Sequence, residues 1–236
     1  MSALLLIFIL AVAVLVLQLT EREQALASEQ ETAEEQRARF SNQIVTLSRA
    51  EEIRAEMLLE VQENLRAQGI EVTVSENNTV LSIPAQVLGF DPASFEIKPE
   101  YRDVSQRIGT AIADVIAEDD RYRYLDTVFV EGHTDNLAFG GLEGTGNWGL
   151  STFRAISLWR LWDEQLPADK QLDSFLSDAG KPLFSVSGYG ETRPLVAEQG
   201  TDAQMAQNRR IDIRFTIVRP SADELTEILE LLPEDS

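Results

Sequence analysis

The chain has 236 residues, with 20 basic and 40 acidic side chains and a formal net charge of -20. A surface this acidic repels phosphate groups, so the composition argues against a nucleic-acid partner. The lack of cysteine excludes disulfides and thiolate sites, and the single histidine, His133, excludes metal sites that need two imidazoles, so we predict neither a metal nor a cofactor.

The chain opens with an apolar segment. Residues 3–17 are all Ala, Leu, Ile, Phe or Val, and Glu21 is the first charged residue. Such a run is typical of a membrane helix or of a signal peptide. Because no basic residue precedes Glu21, we favour an uncleaved transmembrane anchor over residues 1–19. A membrane helix that begins at the initiator lacks a cytoplasmic flank, so we expect Met1 to be an internal methionine of a longer natural chain.

Residues 20–69 predict a long helical linker. Its first half is rich in charged residues and helix formers, which indicates a solvated helix. Further on, apolar residues recur by threes and fours, as in the seam of a coiled coil: Phe40, Ile44, Leu47, Leu58, Val61 and Leu65. Glu51 and Arg54 interrupt this seam, so the pattern permits a coiled-coil dimer without requiring one.

From Ile70 the apolar period changes to two, which predicts a folded domain over residues 70–220. A hairpin over 70–83 is followed by a helix over 101–115, a strand over 128–130, a helix over 150–165, and strands at 184–186 and 211–215. This alternation predicts an α+β or α/β sandwich of one sheet with its helices. An acidic tail, 221–236, completes the chain.

Asp135 and Arg154 are the strongest candidates for chemistry. Asp135 directly follows a predicted strand, and Arg154 lies near the start of the next predicted helix. The pair fits a zwitterion, because a carboxylate binds an ammonium group and a guanidinium binds a carboxylate in a bidentate manner. Spacing alone favours a structural ion pair instead. We predict no enzymatic activity, since no activated nucleophile or metal site can be assembled around His133.

Four motifs follow one another in the order of a known family. They are Val130-Glu131-Gly132-His133-Thr134-Asp135-Asn136, Asn147-x-x-Leu150-Ser151-x-x-Arg154-Ala155, Gly188-Tyr189-Gly190-Glu191-x-x-Pro194 and Asn208-Arg209-Arg210-Ile211-Asp212-Ile213. Together they resemble the OmpA-like peptidoglycan-binding domain, over about residues 90–218. The resemblance implies an OmpA-like β/α sandwich that binds the diaminopimelate residue of peptidoglycan.

The resemblance also assigns binding residues, and it reverses the preference for a structural ion pair. Asp135 and Arg154 match the acid and the arginine that hold diaminopimelate in the family. Asn147 and Leu150 match positions beside that pocket. The positions that line or brace it are matched by Thr134, Asp91, Asn208 and Arg209. The loops 137–146 and 167–182 are longer than is usual in the family.

The order of anchor, polar helix and domain is similar to that of flagellar stator B subunits of the MotB type. Residues 1–8 resemble more closely the membrane helix of their relative in the Zorya anti-phage defence system, ZorB. The resemblance implies an inner-membrane protein with a single span, a periplasmic C-terminal domain, a homodimer, and a multi-span MotA- or ZorA-like partner in an ion-driven stator. No acidic residue precedes Glu21 to carry the ion, so a non-motor protein that tethers the membrane to the cell wall remains the alternative.

Overall fold

A five-stranded sheet organises residues Arg49–Arg219, which form one compact unit. The computed structural model describes residues 2–141, 144–177 and 180–219, without the side chains of 2–4, 6 and 173. The helices are α1 (Ser2–Ala67), α2 (Arg102–Ala117), α3 (Gly146–Gln165) and α4 (Asp202–Asn208). The strands are β1 (Thr73–Val74), β2 (Val80–Pro84), β3 (Leu125–His133), β4 (Phe184–Gly188) and β5 (Arg210–Ile217).

The strand order across the sheet is β1-β2-β5-β3-β4. All neighbours are antiparallel except β3 and β4, which run parallel. The predicted hairpin corresponds to β1 and β2, and its turn includes Asn78, whose φ is 48°. The α+β class predicted from the sequence is therefore confirmed.

The two faces of the sheet have different chemistry because side chains alternate along each strand. On β5, Ile211, Ile213 and Phe215 are buried in the apolar core together with residues of α2 and α3. The intervening residues of β5 are charged and belong to the opposite face: Arg210, Asp212 and Arg214. One face thus supplies the core and the other a set of polar groups.

The last turns of α1 are part of the compact unit. The sequence had instead assigned all of residues 20–69 to a linker. Leu58, Val61 and Leu65, whose spacing permitted a coiled-coil seam, are fully buried in the core of the compact unit. Heptad spacing and the apolar stripe of a packed helix are the same pattern over this length, so the sequence did not reveal the partner. These three residues are unavailable to a second helix, and the compact unit begins at Arg49 and not at Ile70.

The chain before Arg49 belongs to a separate unit and continues the helix α1. Phe40 and Ile44 of the predicted seam are exposed there. Among the residues that the structure describes, no helix combines the length and the apolar character needed to cross a bilayer. The predicted anchor therefore stays a prediction; its first residue and several of its side chains lie outside the described part, as does the predicted tail 221–236.

Candidate functional site

Two glycines let the sheet meet the first turns of α3. A Cβ at Gly132 on β3 would lie 1.9 Å from the backbone oxygen of Ser151, and one at Gly188 would lie 2.5 Å from the backbone nitrogen of Thr152. Only a residue without a side chain permits this approach. The close contact holds the end of β3, and the residues that follow it, against the helix that carries Arg154.

Asp135 lies just beyond β3 and is only 7% exposed. Its Oδ2 accepts a hydrogen bond from Nη1 of Arg209 at 2.5 Å, and its Oδ1 accepts one from the backbone N–H of Leu137 at 3.1 Å. The neighbouring Thr134 is fixed as well, because its hydroxyl donates to the Asp135 carbonyl and its N–H donates to the carbonyl of Gly190. The charged partner of Asp135 is therefore Arg209, which the sequence placed only in a bracing position.

Arg154 is 2% exposed and anchors the loop before α2. Its Nε donates to the carbonyl of Ser94 at 2.8 Å, and its Nη2 donates to the carbonyl of Asp91 at 3.1 Å. The guanidinium carbon lies 5.4 Å from the centre of the Phe90 ring, which adds a cation–π contact. The guanidinium is thus enclosed in the fold, and its Nε and Nη2 already donate to backbone carbonyls.

The charges of Asp135, Arg154 and Arg209 act on one another, and we call these three residues the charge cluster. Burial lowers the pKa of Arg154 from its ordinary value to about 10; the Asp135 carboxylate opposes this shift, and the positive charge of Arg209 adds to it. The cluster contains two guanidinium groups and one carboxylate, which pairs with Arg209, so it has a surplus of one positive charge. An anionic group placed beside Arg154 would be stabilised by that surplus.

Asn147 connects the cluster to the start of α3. Its Nδ2 donates to the carbonyl of Leu137 at 2.9 Å and lies 3.5 Å from the carbonyl of Asp135. Its Oδ1 is buried and has no hydrogen-bond partner among the described residues. A buried acceptor without a donor is costly, so this oxygen is available to an incoming N–H group.

The remaining predicted residues surround the cluster without adding a charge to it. Leu150 is buried on α3. The Asp91 carboxylate pairs with Lys98 at 2.7 Å, so Asp91 reaches Arg154 only through its carbonyl. Asn208 is fully buried and braces the loop before α4, because its side-chain amide makes three hydrogen bonds to the backbone of Leu195 and Val196.

A second polar cluster on the sheet was not predicted. Oxygen and nitrogen atoms of Glu131, His133 and Asp212 lie within 4.8 Å of one another, and all three residues are buried. Arg214 forms hydrogen bonds to Glu131, and Arg210 to both carboxylate oxygens of Asp212. These guanidinium groups already neutralise the carboxylates, so a metal cation would have to displace them.

His133 completes this second cluster. Its Nε2 lies 3.1 Å from Oδ2 of Asp212, and its ring stacks on Tyr189 with 5.4 Å between centres. Burial raises the pKa of Asp212, but the nearby His133 and the charge of Arg210 outweigh that effect, so the pKa lies below its ordinary value of 3.8. The charged residues at alternate positions of β5 were the sequence signal for this cluster.

Comparisons with known proteins agree with this fold. No protein-family model matches the chain. Motility protein B of Bacillus subtilis is 33% identical over 86 residues, which is 36% of this chain and 28% of that protein. A putative MotB-like protein from Desulfovibrio vulgaris aligns over 75% of this chain and 98% of its own, with a TM-score of 0.53 and 19% identity.

The periplasmic domain of Helicobacter pylori MotB gives a similar result. It aligns over 72% of this chain and 96% of its own, with a TM-score of 0.52 and 20% identity. At these identities the two structures establish the architecture alone. The chain has a mixed α+β fold like that of MotB periplasmic domains, preceded by a long helix.

Proposed function

We propose that this protein binds peptidoglycan through the charge cluster and is a B subunit of the MotB type, anchored in the inner membrane with its C-terminal domain in the periplasm. The MotB-like fold and the local sequence match to Motility protein B support this proposal. The observation that carries it is the composition of the cluster: one carboxylate paired with Arg209 just beyond β3, and the buried guanidinium of Arg154, which is influenced by both charges.

The cluster is complementary to the side-chain end of diaminopimelate, which has an ammonium and a carboxylate on one carbon. Asp135 already holds a cationic group, the guanidinium of Arg209, and an ammonium can take that place. The ligand carboxylate then neutralises the surplus positive charge beside Arg154. The free Oδ1 of Asn147 accepts a further hydrogen bond from the ammonium.

Ligand entry requires one rearrangement, because Asp135 and Arg154 are nearly enclosed. The Arg209 side chain is 26% exposed and makes its charged contact only with Asp135 among the described residues. It can turn into solvent or towards the ligand carboxylate, whereas Arg154 is fixed by two carbonyls. Binding is thus an exchange of Arg209 for the ligand ammonium on Asp135.

For the whole chain we propose a homodimeric stator subunit that works with a multi-span A-type partner, of the Zorya anti-phage type. The apolar segment 3–17 and the resemblance of residues 1–8 support this assignment. A non-motor wall tether is the second candidate, favoured by the lack of any ionisable residue in that segment. Co-purification of a multi-span subunit encoded beside this gene supports the stator, and purification of the tagged chain without one supports the tether.

Sedimentation with purified sacculi tests wall binding by the full chain in detergent. Arg154→Lys removes the fork of a charge-assisted contact worth on the order of 2 kcal/mol, so we expect binding to weaken tens-fold. Asp135→Asn should weaken binding by a smaller factor, because the ligand ammonium gains only the difference between its own contact and that of the displaced Arg209. The matched controls are Asp126→Asn and Arg160→Ala, which change exposed residues on β3 and α3 and should bind as the wild type does. If both cluster variants are folded by far-UV circular dichroism and sediment like the controls, the site assignment is wrong.

A further inference from the structure

A strained turn lies in the loop before α2. The N–H of Ser94 donates to the carbonyl of Asp91 at 3.1 Å, which closes a four-residue turn. Pro92 has a negative φ because its ring fixes that angle, whereas Ala93 has a φ of 57°. A hydrogen bond and φ angles of this kind define a type II turn, whose third residue is normally glycine. We call this segment the 91–94 turn.

The conformation of Ala93 is maintained by the backbone around it. A left-handed φ costs conformational energy in alanine, because of its Cβ, but not in glycine. Ala93 is exposed, so burial of its methyl group does not repay that energy. The carbonyls of Asp91 and Ser94, at the two ends of the turn, accept hydrogen bonds from Arg154. Strain that is maintained in this way is typical of segments that hold a functional group in place.

The loop that contains the turn is fixed to the helix that carries Arg154. Phe90 and Ile97 form an isolated antiparallel bridge at the base of the loop. The ring of Phe95 packs against that of Phe153 on α3, with 5.3 Å between centres. Because Arg154 directly follows Phe153, the two carbonyls of the turn and the guanidinium are held in one frame.

The contacts of Arg154 leave one edge of its guanidinium for a ligand. Nε–H and one N–H of Nη2 point along the same edge of the planar group, and these donate to Ser94 and Asp91 at 2.8 and 3.1 Å. Nη1 makes no hydrogen bond to a residue that the structure describes. A carboxylate can therefore bind in a bidentate manner only along the opposite edge, which Nη1 and the second N–H of Nη2 form.

We propose that the 91–94 turn is a positioning element for ligand recognition: its left-handed Ala93 aims two carbonyls at Arg154 and so presents the Nη1–Nη2 edge to the ligand carboxylate. This inference rests on the proposed function. Ala93 touches no ligand and acts only through the backbone of the turn. The turn therefore contributes to the preference for diaminopimelate over a residue that lacks the side-chain carboxylate, and not to the ammonium contact at Asp135.

Calorimetric titration of the full chain in detergent tests this role with two peptides. One is the stem tripeptide that ends in diaminopimelate; the other has lysine in that place, which keeps the side-chain ammonium and lacks the carboxylate. Ala93→Val puts a β-branched residue where φ is positive, so the turn must change shape. We expect the diaminopimelate peptide to bind roughly tenfold more weakly, because the ligand then has to order a mobile Arg154. Binding of the lysine peptide should not change, since it makes no carboxylate contact with Arg154.

Two variants control for a general effect on the fold. Ala93→Gly keeps the positive φ without strain and should bind both peptides as the wild type does. Ala168→Val makes the same change as the test variant in another exposed turn, at a residue whose φ is not positive, and should also be neutral. If the Ala93→Val protein is unfolded by far-UV circular dichroism, Pro92→Gly replaces it. This variant loosens the turn and should weaken binding of the diaminopimelate peptide alone, by a smaller factor.

The other outcomes overturn the positioning role. If a folded turn variant binds both peptides as the wild type does, the turn does not position Arg154; if it weakens both equally, the turn supports only the fold. If Ala93→Gly is as weak as Ala93→Val, the left-handed conformation is not the cause. If Arg154→Lys abolishes the preference for diaminopimelate and Ala93→Val retains it, the positioning role fails while the proposed function stands. A wild type without that preference refutes both.

Discussion

Replacement of Gly132 by alanine is the sharpest test of how the site is built. The new Cβ would lie 1.9 Å from the Ser151 oxygen, whereas the closest favourable carbon–oxygen contacts are about 3.3 Å. Relief requires a movement of about 1.4 Å between β3 and the backbone of α3. Because the obstacle is backbone and not a flexible side chain, we expect the upper end of the usual cost of overpacking, about 3 kcal/mol, partly offset by the lower entropy of the unfolded chain.

Thermal or urea unfolding of the full chain measures this effect. A net loss of about 2 kcal/mol lowers the melting temperature of a domain of this size by roughly 4–8 °C. Binding to sacculi should fall as well, since the same movement displaces Arg154. Gly140→Ala is the matched control, because no atom of the described residues lies within 4 Å of its Cβ position and its φ is not positive. A Gly132→Ala protein as stable as the control would refute the close contact between β3 and α3.

Two further predictions concern charges. Asp135→Asn replaces the charged acceptor of the hydrogen bond from Arg209 by a neutral amide and should destabilise the fold by about 2 kcal/mol. Adding Arg209→Met should recover part of that loss because no guanidinium without a counter-charge remains; additive effects in this double-mutant cycle would contradict the pairing. The carboxylate of Asp212 has a pKa below 3.8, so its ionised form stabilises the folded state above that pH, and this stability is lost as the pH falls through the folded-state pKa. Urea midpoints measured from pH 5 downwards should therefore fall less steeply for Asp212→Asn than for the wild type, and parallel curves would show that Asp212 is not the responsible group.

Much of the fold could be predicted from local patterns. The period of two marked β2, β3 and β5, and the period of 3.6 marked α2 and α3, because both periods reflect which side chains face the core. The sequence could not predict what the last turns of α1 pack against. An apolar stripe has the same spacing on a helix that packs against a second helix and on one that packs against a sheet. For this reason the predicted domain began at Ile70, whereas the compact unit in the structure begins at Arg49.

The sequence named all three residues of the charge cluster, but it did not show which of them pair. Asp135 and Arg209 are separated by 74 positions in the chain. Arg154 and Arg209 both have side chains long enough to reach the Asp135 carboxylate. Which of the two guanidinium groups binds the carboxylate depends on the other hydrogen-bond acceptors that lie near each group. The carbonyls of Asp91 and Ser94 hold Arg154, and only the folded loop reveals them.

This pairing has a consequence for affinity. Because Asp135 is already neutralised by Arg209, a ligand ammonium gains only the difference between its own contact and the one that it displaces. The ligand carboxylate, in contrast, meets a surplus positive charge on Arg154, which backbone carbonyls already hold in place. Little side-chain entropy is therefore lost when the carboxylate binds. Most of the recognition energy should therefore come from the carboxylate at Arg154, while Asp135 distinguishes a zwitterion from a simple anion.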